Sequence, residues 1–413
     1  MNKKKVYDVI GVGIGPANLG LAALLENIKD LNSIFLDEKK EFIWHNGVLL
    51  THSNLQVHYL KDLVTLADPT NHYSFLSFLS SKNRLYQFIN LQKSTIGRME
   101  FEQYYKWVST KLRSLKFSNK VTTVKYENNV FKVISNDSTY YTKNIILGLG
   151  KRPYIPTSAI PYLSSDVIPS MNFSNAKEME NQTVTIIGGG QSAAEIIYTL
   201  LTNNILPKQI NWITNKHRFF PLEDSCFSNE FPTPSYCSYF YNKDSLLKDR
   251  LNNLLFDTNN GITMELLNEI YRKIYDLKFI EKKVFKMNIF TSHSYEDMKK
   301  NTDGYIIDIK DIESNTIKKI RTDKIIFATG FKSNNFDILN SIIGTKKYEI
   351  APDFSVRWEH DNTNKIYVQN SAENYFGLGD TNLGIFPWRN SVIINSLLNK
   401  TYYDVADTSL LLS

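Results

Sequence analysis

Cysteine is scarce in this 413-residue chain: Cys226 and Cys237 are the only two, and no C-x-x-C occurs. That excludes a disulfide scaffold, a cysteine-rich zinc site and a redox-active disulfide of the usual spacing. Long hydrophobic runs are missing too. No stretch approaches the roughly 18 uninterrupted apolar residues that suggest a membrane span. The opening MNKKKVYDVIGVGIG is basic and then apolar, but glycines break the run and Pro16 and Asn18 follow it. A buried strand and turn is therefore expected rather than a secretory leader. A strong excess of one charge is also lacking. The net charge is +6, and the basic residues are scattered apart from short runs such as Lys3–Lys5 and Lys39–Lys40. Nucleic-acid binding gains no support from that pattern, and a cytoplasmic chain is expected.

What is present is an ordinary globular composition. Hydrophobic residues make up 42% and charged residues 22%, with aromatics at 13%. The length allows two or three domains, each with its own core.

The central stretch Thr183 to Glu195 reads as strand, glycine turn and helix. Val184–Ile187 is a short β-branched run, and Gly188, Gly190 and Ala193 follow as G-x-G-x-x-A, with Gln191 and Ser192 opening the helix. Such a turn brings backbone N–H groups and a helix N-terminus up to a pyrophosphate. A second copy lies near the start. After the strand at Tyr7–Val12 come Gly13, Gly15, Pro16 and Asn18, with Asn18 in the third glycine's place. The next strand, Ser33–Leu36, ends at Asp37, 24 residues after Gly13, where an acid is expected to hold ribose hydroxyls.

Between and after these units the chain carries further signals. Phe42 to Pro69 is loop-rich and gathers Trp44, His45, Gln56, His58, Lys61 and Asp62, a polar and aromatic density that suits a site lining. His45, His52 and His58 are spaced by seven and six, which fits neither a helix face nor the usual zinc patterns, so no metal is expected. A helix is expected over Arg98–Leu115, and strands over Val121–Val133, with a turn at Asn128–Asn129, and over Tyr140–Leu147. NIILGLG at Asn144–Gly150 marks a crossing between domains at Gly148–Pro153. The second strand of the central unit, Gln209–Thr214, is followed by no acid but by Lys216 and Arg218, which offer charge to the 2′-phosphate of NADPH. Phe219 to Phe279 reads as an aromatic-rich insertion over a cleft, with an amphipathic helix at Met264–Lys278. A strand over Lys324–Phe331 passes through Thr329 and Gly330, and the last helix is expected over Asn374–Asn399, opening after Gly377–Asp380. Glycines before a helix N-terminus suit a cofactor, and Asp380 is placed with them.

Together these segments resemble the microbial flavin-dependent N-hydroxylating monooxygenases, which hydroxylate lysine, ornithine or diamines for hydroxamate siderophores. The likeness is strongest to the lysine N6-hydroxylase branch of aerobactin synthesis. It covers almost the whole chain: GVGIGPANLGLAAL, FIWHNGVLL, LQVHYLKDLVTLADPTNHYSFLSFL, RMEFEQYYKW, GGGQSAAE and FATGF stand in the family's order. The LKDLV segment is more diagnostic than either glycine turn.

The resemblance implies an α/β fold with two Rossmann-like dinucleotide-binding domains, for FAD and NADPH, and a smaller helical substrate-covering segment. On that reading the FAD domain takes residues 1–180 and 331–413, the NADPH domain 181–218 and 280–330, and the covering segment 219–279. It also implies a C4a-hydroperoxyflavin that passes one oxygen atom from O2 to a primary amine, and a homodimer or homotetramer. By position Gln56 matches a flavin contact and Lys61 a clamp on the substrate carboxylate. Asn229 and Asn259 match asparagines that contact ornithine and cofactor in the ornithine enzymes, a departure from the lysine branch. GLGDTNLGIFPWR also departs from the common serine-bearing version. L-lysine leads as substrate, followed by putrescine and cadaverine, then L-ornithine. A flavin disulfide reductase would need a cysteine pair, and a Baeyer–Villiger monooxygenase would carry F-x-G-x-x-x-H between the units; Asp166–Glu180 lacks it. A non-enzymatic dinucleotide sensor would leave Phe42–Pro69 without a purpose.

Overall fold

The computed structural model describes residues 5–405 apart from 45, 46, 48, 49, 51, 137, 335 and 345–347. Two sheets organise it, the first mixed around a parallel centre and the second wholly parallel. In the first, the strand Val6–Val12 lies between Ser33–Leu36 and Ser138–Leu147, all parallel, with the short Leu115–Lys116 beyond Ser33–Leu36. The long Ser138–Leu147 strand is shared along its length. Its first half pairs antiparallel with Val130–Ser135, and its last three residues pair parallel with Ile366–Val368. A meander strand, Val121–Glu127, reaches Val130–Ser135 through Asn128 and Asn129, both left-handed at φ 52° and 60°. Asparagine tolerates that conformation, which matches the twist of a tight hairpin.

The second sheet is wholly parallel, in the order Lys286–Phe290, Gln209–Ile213, Thr183–Ile187, Lys324–Phe327, Val167–Pro169. Both sheets are therefore Rossmann-like, and their central strands are buried over Val9–Val12 and Val184–Ile187, where both faces are covered. The helix Pro16–Leu25 after the first glycine turn has nine of its ten residues buried, packed against the Arg98–Ser109 and Phe386–Leu398 helices. Where the chain leaves the first sheet (Lys151–Pro153) and where it returns (Phe331–Ser333), the two crossings pair antiparallel with each other.

Three features differ from the sequence expectations. Residues 293–322 form a separate antiparallel sheet of three strands, His293–Asn301, Gly304–Asp311 and Ile317–Thr322, whose inner face forms a third core around Met298, Ile307 and Ile309. The Arg98 helix ends at Ser109, short of Leu115, which instead joins the edge of the first sheet. The last helix starts at Phe386 rather than Asn374. The glycine run folds as a buried 3-10 turn, Gly377–Thr381, and a Cβ at Gly379 would come within 2.2 Å of Cys237 Sγ. Close backbone approach, not a ligand, explains that glycine.

Asp380 in this turn is likewise turned inward. Its carboxylate accepts from Arg389 Nη1 at 2.9 Å and from the Ala372 N–H at 2.9 Å, and neither Asp380 nor Arg389 has any exposed surface. The expectation that Asp380 faces a cofactor is corrected: it is the counter-ion of a buried arginine. Truncating it to alanine strands that guanidinium in the core, so Asp380→Ala should cost about 3–5 kcal/mol in urea or thermal unfolding. The paired apolar variant D380A/R389M should recover much of the loss; equal stability of D380A and the parent would contradict the assignment.

Candidate active site

The two glycine turns are built alike. Gly13 has φ +87° and Gly188 φ +145°. A Cβ would meet Gly148 O at 2.4 Å in the first case and Ala328 O at 2.2 Å in the second. Each first glycine is thus pressed against the end of the strand that closes its unit. The second glycines are different. Gly15 and Gly190 are the N-caps of the helices that follow, with extended backbones, and a Cβ there would meet nothing within 4 Å. Neither helix has a side-chain cap or an acid in its first turn. Each turn therefore offers open space and unpaired N–H groups at the positive end of a helix, which is what a pyrophosphate requires.

Asp37 braces the first turn. Its carboxylate accepts from the Ile14 N–H at 2.6 Å and from the Lys39 N–H at 2.8 Å. Lys39, read from the sequence only as part of a short basic run, returns its ammonium to Asp37 at 3.4 Å and to Ile14 O at 3.2 Å. Asn18 is fully buried and donates to Gly13 O at 2.8 Å, so it secures the turn from beneath; its amide stands where a Cβ on Gly148 would be. Pro16 is the first helical residue, where its missing N–H costs nothing. Trp44 is only 8% exposed and packs edge-on against Tyr105. His45 and the side chain of Asn259 lie outside the described residues.

The LKDL loop owes its shape to Asp62. This buried carboxylate accepts the N–H groups of Val64, Thr65 and Phe75 and the Thr65 hydroxyl, all within 3.0 Å. Burial raises its pKa against those four donors. Tyr104 adds a further brace, donating its hydroxyl to Tyr73 O at 2.8 Å. With Asp62 turned inward, Lys61 points the other way and runs across Gly384, where a Cβ would lie 2.8 Å from its Cδ. The only shift on Lys61 is a lowering of its pKa by burial, and no carboxylate among the described residues offsets it. It is a half-buried cation with spare capacity.

A polar chain joins this loop to the second unit. Gln56 Nε2 reaches Gln191 Oε1 and Gly261 O, each at 3.5 Å. Gln191 Oε1 also accepts from the Thr263 N–H at 3.0 Å, and Gln191 Nε2 donates to Glu195 at 2.9 Å. Glu195 is fully buried and takes Arg98 Nη1 at 2.9 Å. Burial pushes the Glu195 pKa up, with Arg98 pulling it back. His52 completes the chain on Glu195 O and the Thr199 hydroxyl, and burial lowers its pKa. Four segments meet here: the Phe42–Pro69 loop, the Arg98 helix, the Gln191–Thr202 helix, and Gly261–Thr263 of the insertion. Arg98 and Glu195 escaped the sequence reading. A lone acid in QSAAEIIYTLL was a usable signal; its partner, 97 residues away, was not.

The insertion spans both cores. Cys237 belongs to the first core, whereas Ile262, Leu266, Ile270 and Leu277 belong to the second. Lys216 is half-buried over the Phe256 and Phe220 rings, and Arg218 covers Phe220 at 4.6 Å, so the two cations share one aromatic platform. Burial lowers the Lys216 pKa. Thr329 hydrogen-bonds its hydroxyl to Tyr154 O, and Gly330 O accepts the Tyr154 N–H, which ties the returning chain to the outgoing one. Ser192 lies partly open in the first turn of its helix. Asn229 is exposed in the 3-10 turn Ser228–Glu230, with its amide on Asp224 O at 2.8 Å, and the structure does not bring it into the polar chain.

The family model for L-lysine 6-monooxygenase/L-ornithine 5-monooxygenase matches residues 5–333. A putrescine N-hydroxylase from Shewanella oneidensis is 33% identical over 97% of this chain and 83% of its own. A FAD-bound cadaverine monooxygenase of the desferrioxamine pathway from Erwinia amylovora superposes with a TM-score of 0.91 at 30% identity, covering 99% of this chain and 98% of that one. An ornithine N-hydroxylase from Kutzneria sp. 744, solved with reduced FAD, NADP+ and L-ornithine, gives 0.87 at 25% identity, over 96% and 99%. With two glycine turns of one design, the knotted LKDL loop and this breadth of match, the chain belongs to the L-lysine 6-monooxygenase/L-ornithine 5-monooxygenase family.

Proposed function

We propose that the chain hydroxylates the side-chain amine of L-lysine, as a step in hydroxamate siderophore biosynthesis in the cytoplasm, and works as a homo-oligomer. The reaction class is that of its family: FAD- and NADPH-dependent N-hydroxylation of a primary amine. Bound FAD, once reduced by NADPH, supplies the oxygen-transferring chemistry. Everything else falls to the residues of this chain.

The first turn, Gly13 to Asn18 with Asp37, holds FAD, with Trp44, His45 and Gln56 as the further proposed cofactor residues. The second turn, Gly188 to Ser192, holds NADPH, with Lys216 and Arg218 on the 2′-phosphate and Thr329 and Gly330 at the crossing. These roles draw support from the open cradles at Gly15 and Gly190 and from the paired cations on their aromatic platform. On this reading residues 1–180 and 331–413 form the FAD domain, 181–218 and 280–330 the NADPH domain, and 219–279 cover the substrate.

Lys61 carries the substrate assignment. A desolvated ammonium without a carboxylate of its own attracts the α-carboxylate of an amino acid and repels the far ammonium of a diamine. Holding that end fixes which end of the molecule reaches the flavin. The reacting amine has an ordinary pKa of about 10.4 and must lose its proton before it can attack. A water-poor site with amide acceptors favours the neutral form, and Asn259 is the proposed acceptor; Asn229, exposed with its amide on Asp224 O, is not placed to serve as one. The names of the relatives favour a second reading, with putrescine or cadaverine as the substrate. L-ornithine ranks third.

Lys61→Met separates these readings. It should raise KM for L-lysine about 10- to 100-fold, the loss of one charge-assisted contact, with kcat changed far less. Diamine turnover should hold or improve; an unchanged KM for L-lysine would sink the amino-acid reading. The pH dependence has a definite sign as well. Lys61 has a lowered pKa, so its charge is present at low pH and disappears earlier than an ordinary lysine's as pH rises. KM for L-lysine should therefore climb in the alkaline range while that for cadaverine does not, measured by initial rates across pH. For the cofactor, Lys216→Ala with Arg218→Ala should raise KM for NADPH at least about 10-fold and leave NADH nearly unchanged. Equal losses with both cofactors would place those cations elsewhere.

A further inference from the structure

Lys61 does not stand alone where it crosses Gly384. The 3-10 turn Leu383–Ile385 opens on Asn382, whose Oδ1 accepts the Gly384 N–H at 2.9 Å. The position that a Cβ on Gly384 would take lies 2.8 Å from Lys61 Cδ, 3.3 Å from Lys61 Cε and 3.2 Å from Asn382 Oδ1. The end of the lysine and the head of the asparagine therefore border one small space. Gly384 does not have a left-handed backbone, so its conformation does not demand glycine. The nearness of Lys61 does.

Capping the turn uses only the oxygen of Asn382. A side-chain amide also carries two N–H donors. With Oδ1 turned to the Gly384 N–H, Nδ2 occupies the other side of the head, and among the described residues nothing accepts its protons. The Lys61 ammonium likewise has no acceptor among them. Both residues are half-buried, neither sealed in the core nor standing free in water. A cap alone would not need the amide, since aspartate, serine and threonine accept such an N–H as well. What asparagine adds over all three is a fixed, uncharged N–H donor beside a cation. That pair suits an anion with two oxygens, one for the ammonium and one for the amide. A substrate ammonium would meet only a like charge and an amide whose oxygen is turned to the backbone.

We propose, building on the L-lysine reading above, that Asn382 is a second specificity residue, its Nδ2 donating to one oxygen of the substrate carboxylate while Lys61 holds the other. Gly384, by lacking a side chain, lets the lysine lie close enough to share the carboxylate. Two donors fix the direction of that group as well as its place, and so aim the far amine.

Two substitutions keep the cap and remove the amide. Asn382→Asp leaves an oxygen for the Gly384 N–H and sets a carboxylate beside Lys61. Asn382→Ser leaves a hydroxyl for it and adds no charge. Hydroxylamine formation by the full-length, FAD-loaded protein is measured with L-lysine and with cadaverine. N382D should raise KM for L-lysine at least about 10-fold, with kcat changed far less, and hold or lower KM for cadaverine. N382S should raise KM for L-lysine about 3- to 10-fold and leave that for cadaverine unchanged. Gly384→Ala, which crowds Lys61 Cδ, should also raise KM for L-lysine and not for cadaverine. Retained FAD content and far-ultraviolet dichroism confirm that each variant is folded. Because the cap survives in N382D and N382S, an asparagine with a structural role alone would leave both substrates at parent values, and that result overturns the assignment. An equal loss with L-lysine and cadaverine overturns it too. A parent protein that hydroxylates cadaverine but not L-lysine overturns the substrate reading beneath it as well.

Discussion

The buried contact between Arg98 and Glu195 is what the rest of this molecule depends on. It is the ion pair that joins the helix beside the LKDL loop to the helix of the second glycine turn. Burying two charges is expensive, and the pair repays that cost only when its geometry is held by neighbours. Here Gln191 and the backbone of Glu195 supply them: the amide of Gln191 bonds the Glu195 carboxylate, and His52 reaches Glu195 O. Because Gln191 opens the second nucleotide-binding helix and also touches Gln56 and Thr263, the network registers one unit against the other at a single point. Reduction of a bound flavin by NADPH, ahead of oxygen transfer from O2 to an amine, would need such a register.

Around that point the division of labour is physical. The first glycine of each turn closes the fold and the second leaves room for phosphate. Asp62 shapes the loop so that Lys61, its neighbour, faces outward across Gly384. Asp380 and Arg389 hold the turn that carries Gly384 onto the final helix. Carboxylates conspicuous in the sequence thus serve mostly to build the site. Among the described residues Lys61, beside one of them, has no carboxylate that offsets its burial, and it is the charge proposed to meet the substrate.

Much of this was legible in the sequence, and the rest was not for identifiable reasons. Strand, glycine turn and helix were readable twice because close packing and phosphate contact both demand glycine at fixed spacing. The Asn128–Asn129 hairpin was readable because few other residues accept its backbone. Asp380 was misread because a glycine-rich stretch looks the same whether its partner is a ligand or Cys237. The antiparallel sheet at 293–322 passed unnoticed because its strands alternate over a modest inner face and carry many exposed lysines. The Arg98–Glu195 contact lies between residues far apart in the chain, and spacing carries no trace of it.

The central claim is amine N-hydroxylation with an amino-acid substrate, and its most direct measurement is the hydroxylamine formed per NADPH oxidised. The FAD-loaded protein would be offered L-lysine, L-ornithine, putrescine and cadaverine in turn. The account predicts that L-lysine gives the highest kcat/KM and couples NADPH oxidation to N6-hydroxylysine. Product from the diamines alone would remove Lys61 from its role, and NADPH oxidation with no hydroxylamine from any of the four would contradict the account itself.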